Sequence, residues 1–244
     1  MKNHLLALTL LAFLAPLNEA RAATTDLTYD IAFWGLPIGT IHYRIVQEDN
    51  RYTLTFDGGF GGLVGLFADA GGKATTRGII KNGRILPQRM EQDVQWGEKL
   101  RKVWIQFDDD GNVAEYGADP VYSPEGRAPV TASMLEDVLD SLSAMILTPP
   151  VFGKDFCDRT QRVFDGRERY DLQFSPTDTA MKCKITPTQL GGHKINDEDA
   201  ENPPRPFKMT FTTIAGGQLA VPEKTIKPFT LGNATIKLVK VSTH

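Results

Sequence analysis

The chain has 244 residues, with 27 Lys and Arg against 30 Asp and Glu and a formal charge of −3. That balance, with no basic stripe anywhere, excludes a nucleic-acid-binding chain and gives no strong net attraction to anionic lipid. Two cysteines, Cys157 and Cys183, exclude a disulfide-dense miniature fold, and roughly 220 residues beyond the leader are enough to bury a sizeable core.

The opening MKNHLLALTLLAFLAPLNEARA has Lys2, an apolar run from Leu5 to Leu17, and Ala20-Arg21-Ala22 as a small-x-small cleavage site. These are the three parts of a secretory signal peptide. The organisation expected is a signal peptide over residues 1–22 and a single domain over 23–244. Cleavage moves the formal charge to about −4. The apolar run is too short for a membrane span, which needs about 20 residues, and no later segment comes close. No cysteine follows it, so no lipid-anchored start is expected.

From there alternation dominates. LTYDIAF, TIHYRIVQ and RYTLTFD place apolar residues at every second position, with GLPIG and EDN as turns. Next comes GGFGGLVGLFADAGGKATT, residues 58–76. A phosphate-binding G-x-x-x-x-G-K-[ST] loop fails, because Phe67 stands at the first glycine and Ala74 follows Lys73. A G-x-G-x-x-G fingerprint fails at Val64. Phe60, Leu63, Val64 and Phe67 fall at i, i+3, i+4 and i+7 and would share one face of a short helix, which Gly61, Gly62 and Gly65 weaken by up to about 1 kcal/mol each. Such an element reads as a plug at one end of the core, or as a lid or membrane-contact tip over an apolar cavity.

The strand pattern resumes as KATTRGII, QRMEQDVQW, LRKVWIQF and VAEY, with turns at KNGR, GEK and DDDGN. The spacing then predicts a helix over residues 133–147. Met134, Leu135, Val138, Leu139, Leu142, Met145 and Ile146 share one face, Glu136, Asp137, Asp140 and Ser143 mostly the other, and Ser133 with Glu136 fits a capping box. RTQRVF, an Asp165-Gly166 turn, RERYDLQF and MKCKITP follow, then a polar, acidic loop over 191–206 that is expected to be mobile. KMTFTTI, LAVPEKTIK and ATIKLVKV close the sheet, with Pro222 predicting an edge or a bulge. The two cysteines of an exported chain are read first as a structural disulfide, ahead of free thiols or metal ligands.

YDIAFWGLPIGTIHYRI, VLDSLSAMIL, VFDGRERYDLQF flanked by the two cysteines, and LAVPEKTIK together resemble the exported bacterial family called domain of unknown function 3108, from about Leu27 to Val241. Two departures stand out: Asp140-Ser141 where the family has Asp-Pro, which lets the helix run on, and PFKMTFTTI where a tryptophan-bearing segment is usual. The resemblance implies an all-β fold with one main helix: a strongly curved antiparallel sheet or half-barrel wrapped around a central amphipathic helix, broadly similar to periplasmic lipoprotein carriers. It also implies the periplasm of a Gram-negative bacterium, and it carries over no biochemical activity to this chain.

His42, His193 and His244 lack a second ligand at metal spacing. Asp108 to Gly111 does not phase as a calcium loop, Ser141 and Ser143 lack a nucleophile elbow, and Arg167 with Arg169 fits ion pairing better than an anion site. No enzyme, metal or cofactor is expected. The function expected is a cell-envelope protein that binds a lipid or other apolar ligand between sheet and helix, with Leu139, Leu142 and Met145 lining the cavity and Phe60, Leu63 and Phe67 gating it. The alternative is an envelope structural protein with a filled core, acting through protein partners by its sheet edge or acidic loop.

Overall fold

The protein is described by a computed structural model covering residues 22–60, 70–148, 156–195 and 204–244. Its strands are β1 (Ala23–Phe33), β2 (Leu36–Glu48), β3 (Arg51–Phe60), β4 (Ala70–Lys81), β5 (Arg84–Trp96), β6 (Lys99–Phe107) and β7 (Val113–Asp119). After a long crossing segment come β8 (Arg159–Phe164), β9 (Arg169–Pro176), β10 (Lys182–Gly191), β11 (Phe207–Ile214), β12 (Leu219–Phe229) and β13 (Gly232–Thr243). All thirteen belong to one antiparallel sheet in the order β7-β6-β5-β4-β3-β2-β1-β13-β12-β11-β10-β9-β8. First and last strands therefore meet mid-sheet, with Leu27 opposite Val241, and the strands before and after the crossing become the two edges. The sheet is open: β7 and β8 form no ladder with each other, although Tyr116 and Phe164 meet edge to face at 4.9 Å.

The period-2 pattern sets the faces. Leu27 and Tyr29, Tyr43 and Ile45, Tyr52 and Leu54, and Val103, Ile105 and Phe107 are all buried on the concave side. Tight turns close the hairpins where the sequence permits positive φ. Asn82 and Gly83 take φ of 52° and 75°, as a two-residue primed turn requires. The first turn falls at Trp34-Gly35, one residue ahead of the GLPIG reading. Pro222 sits at a register shift between β11 and β12, where its missing N–H leaves no gap in a regular ladder.

The predicted helix over residues 133–147 does not form. Only two short 3-10 turns are present, Ala132–Leu135 and Ser143–Met145, and no side chain caps the first. The rest is an irregular strap inside the curve of the sheet, whose backbone groups bond outward. Val138 N–H donates to the Gly111 carbonyl, Leu139 N–H to Arg162, and Leu139 C=O accepts from Phe164 N–H. Leu147 and Ala220 exchange both hydrogen bonds at 2.9 Å, and the Thr148 hydroxyl donates to the Gly83 carbonyl. A helix satisfies its own backbone; this segment instead satisfies exposed stretches of β8 and β12. The expected charged outer face is also corrected: Glu136 and Asp137 are exposed, but Asp140 and Ser143 are fully buried.

The strap feeds all three apolar clusters of the interior. Val138 packs with Met90, Ile105, Phe107 and Phe164. Leu142 and Ile146 join Tyr43, Tyr52, Leu54 and Val221. Leu147 packs with Phe156, Phe174, Ile185, Phe211 and the cysteines. Cys157 and Cys183 are disulfide-bonded across 26 residues, tying the end of the crossing to β10.

The chain-entropy model puts that crosslink at about 3.5 kcal/mol. Replacing both cysteines by serine should lower the unfolding free energy by about that amount in a denaturant titration, and reductant should then shift the wild-type protein but not the variant.

Candidate functional site

Where the strap crosses the sheet it is held by polar groups, not by its apolar face alone. Asp140 Oδ1 accepts from the Thr76 hydroxyl of β4 at 2.8 Å and from its own chain's Leu142 N–H at 2.9 Å and Ser143 N–H at 3.0 Å. The carboxyl thus folds the chain back into the turn at Ser143 and pins that turn to the sheet. The Tyr43 hydroxyl of β2 donates to the Leu142 carbonyl at 2.7 Å, and Tyr52 of β3 shares a hydrogen bond with Ser143 Oγ at 2.9 Å. Burial pushes the Asp140 carboxyl above its ordinary range, against the hydrogen bonds that pull it down. Burial likewise raises Tyr43 and Tyr52, with the Asp140 charge adding to both.

This anchored strap floors a cavity of about 260 Å³. Ser141, Leu142 and Met145 form the floor; Tyr29, Ile41, Phe56, Ala74, Val221 and Ile236 form the walls, with Gln92 and Thr225 among the few polar groups. The glycine-rich stretch flanks this space. Leu54, Phe56 and Gly58 fall on the inward face of β3, and Gly72, Ala74 and Thr76 on that of β4, with Gly58 directly opposite Gly72. The Ile41 and Phe56 side chains close over Gly58, where a Cβ would lie 3.1 Å from each. Gly72 is also fixed sterically, since a Cβ there would lie 2.7 Å from the Asp93 carbonyl oxygen.

Leu142 and Met145 thus line the cavity, while Leu139 does not; it is half-buried beside Val163 of β8. In a helix the three share a face, but in an irregular segment they point to different surroundings. Phe60 ends β3 opposite Gly39, and Leu63 and Phe67 lie outside the described residues. Residues 58–60 and 70–76 of the glycine-rich stretch are strand, not helix. Sequence reasoning missed Asp140, Thr76, Ser143, Tyr43 and Tyr52. The available signal was a polar residue at an inward position: Thr76 two along from Ala74, and Tyr43 two before Ile45.

A wider cleft of about 930 Å³ lies among the β5–β6 turn, Tyr122 and Lys194. Its guanidinium groups are already engaged: Arg101 donates to the Pro120 carbonyl, Arg127 to the Gly192 carbonyl, and Arg167 pairs with Glu168 at 3.2 Å. Arg169 is buried, donating to the Met134 and Tyr170 carbonyls, with Asp171 2.8 Å away. Asp108 accepts from Asp110 N–H and from both nitrogens of Asn112, so its oxygens serve the turn. Among the described residues no group of three His, Cys, Asp or Glu is placed to hold a metal, and no helix is long and apolar enough to cross a membrane.

A single coiled antiparallel sheet with an internal strap and an apolar pocket is the class of protein that this geometry defines. The chain belongs to the family described as protein of unknown function (DUF3108), whose profile matches residues 27–189. It is also similar to the crystal structure of a beta-barrel-like protein of domain of unknown function DUF1849 from Brucella abortus, with a TM-score of 0.44, 10% identity, and coverage of 92% of this chain and 98% of that one. No curated protein matches.

Two outcomes follow for Asp140. Asp140→Ala strands one hydroxyl and two backbone donors in the interior and should cost about 3 kcal/mol in chemical denaturation. Asp140→Asn keeps an acceptor but cannot ionise. A carboxyl with a raised folded pKa binds its proton more tightly when folded, so its contribution is fully present below about 3.8 and is lost as pH rises through the raised value. The wild type should therefore lose stability relative to Asp140→Asn as pH rises across that window; the opposite slope would mean that the site favours the ionised form.

Proposed function

We propose that this chain is a non-enzymatic periplasmic protein of the cell envelope that takes an apolar ligand, a lipid or lipoprotein acyl chain, into the cavity between strap and sheet. The observation that carries this reading is the unfilled apolar space above an anchored floor. Protein interiors are close-packed, and voids larger than a water molecule are few. Here the strap is tied to the sheet by three side-chain hydrogen bonds, yet about 260 Å³ stays open between it and the walls. A filled interior would have favoured the alternative, an envelope scaffold working only through protein partners.

Size narrows the ligand. At about 260 Å³ the cavity falls just below the range of about 300–1,000 Å³ for drug-sized ligands, so it suits one slender chain and not a whole lipid. The compartment reading rests on the signal-like N-terminal sequence and on the disulfide, which belongs to an oxidising environment.

Leu142→Trp and Ala74→Leu place extra bulk in the cavity from floor and wall. Protein purified gently from the periplasm should carry a stoichiometric lipid in native mass spectrometry and solvent extraction, and both variants should stay folded and lose it. A wild-type protein with a clean apo mass and no uptake of offered fatty acid or phospholipid would sink the proposal.

A further inference from the structure

The up-and-down order sends alternate turns to opposite ends of the sheet. The β1–β2, β5–β6 and β12–β13 turns, the exit of β7 and the exit of β10 share one end. Exposed apolar side chains are segregated to that end. Among the described residues, only Tyr116, Val239 and Val241 of the exposed large hydrophobics lie elsewhere. The rest include Trp34 (69% exposed) and Leu36 on the first hairpin, Phe229 and Leu231 (71%) on the last, and Trp96 (66%) and Leu100 on β5–β6.

Those of the first and last hairpins form one organised surface, and those of β5–β6 lie at the same end of the sheet. The β1 and β13 strands are paired up to Phe33 opposite Ala234, which sets the first and last hairpin tips side by side. Phe33 stacks on Trp34 at 5.9 Å and meets Phe229 edge to face at 6.2 Å. Cations flank the rings: Lys227 lies 5.5 Å from the Phe229 ring centre, and Arg205 donates to Thr230. Residues 33–39 and 227–234 contain no carboxylate, and residues 94–102 hold Lys99, Arg101 and Lys102 against Glu98 alone. The chain is acidic overall, yet the Trp96 tip is basic and the Trp34 tip is uncharged, with Lys227 on the neighbouring hairpin.

We propose that this rim docks the protein onto an anionic phospholipid bilayer, with Trp34, Trp96, Phe229 and Leu231 seated at the headgroup level. Tryptophan is the side chain that membrane–water interfaces select, because its ring is apolar and its N–H stays hydrated. Local cations beside inserted apolar groups add attraction to phosphate-bearing surfaces. The rim also lies near the cavity. Four residues separate the cavity wall at Tyr29 from Phe33, about 14 Å of strand. Docking does not require that the cavity be occupied.

The test uses the chain from residue 23 and vesicles of phosphatidylcholine with phosphatidylglycerol, read by flotation and by tryptophan emission. The wild type should float with the vesicles and shift its emission to the blue, with binding weakened by salt. The triple variant Trp34→Ser, Trp96→Ser, Leu231→Ser should bind about tenfold more weakly. Leu36→Ser with Leu100→Ser, away from the ring stack, guards against misfolding and should weaken binding in the same direction. Leu142→Trp should bind vesicles like the wild type, so loss of ligand uptake and loss of docking are separable. Absence of wild-type binding, binding unchanged by the substitutions, equal binding to pure phosphatidylcholine, or a dimer that the same substitutions dissolve would each overturn the proposal.

Discussion

One buried carboxyl, that of Asp140, decides how the chain crosses its own interior. The two edge strands of the sheet are joined by some forty residues of crossing, and part of that path lies inside the concave face, where each backbone donor and acceptor needs a partner. Asp140 supplies the turn at Ser143 and binds it to Thr76, while Tyr43 takes the carbonyl of Leu142. The strap is then free to spend its remaining backbone groups on β8 and β12. Those stretches would otherwise be unpaired edge. A helix through the same space would bury a similar apolar area but leave both without partners.

This is also why the strands were legible in the sequence and the strap was not. Each of the thirteen strands carries its own period-2 signal, and turns such as Asn82-Gly83 are specified by the few residues that accept positive φ. The strap is surrounded by apolar clusters on several sides, so Val138, Leu142, Ile146 and Leu147 are apolar for different reasons in different clusters. Their spacing imitates a helical face without one being present. The contrary signals were local: Asp137 takes a positive φ of 49°, and Asp140 is placed to accept from N–H groups two and three residues on.

The cavity was half legible for a related reason. Leu142 and Met145 were identified as lining residues from apolar character, but the walls come from strands far apart in sequence, β1 to β4 with β12 and β13, which only the fold brings together. Glycine in a sequence is usually read through its backbone freedom, and at Gly58 and Gly72 that reading misleads. Both are in extended strand, facing each other, and what calls for glycine is close neighbours: a Cβ would meet the Ile41 and Phe56 side chains at one and the Asp93 carbonyl at the other.

The cavity opens within the main apolar cluster, not beside it: Tyr29, Tyr43, Ala74, Leu142 and Val221 belong to that cluster and also line the space. A natural protein retains such a space only if the rest of the cluster is stable without its being filled. The buried network at Asp140 contributes by tying the floor to the sheet through Thr76, Tyr43 and Tyr52, bonds that do not involve the contents of the space, although Asp140 Oδ2 itself is buried without a partner. Contents of the cavity can then change without moving the strap, which is the property a site for an exchangeable apolar ligand requires.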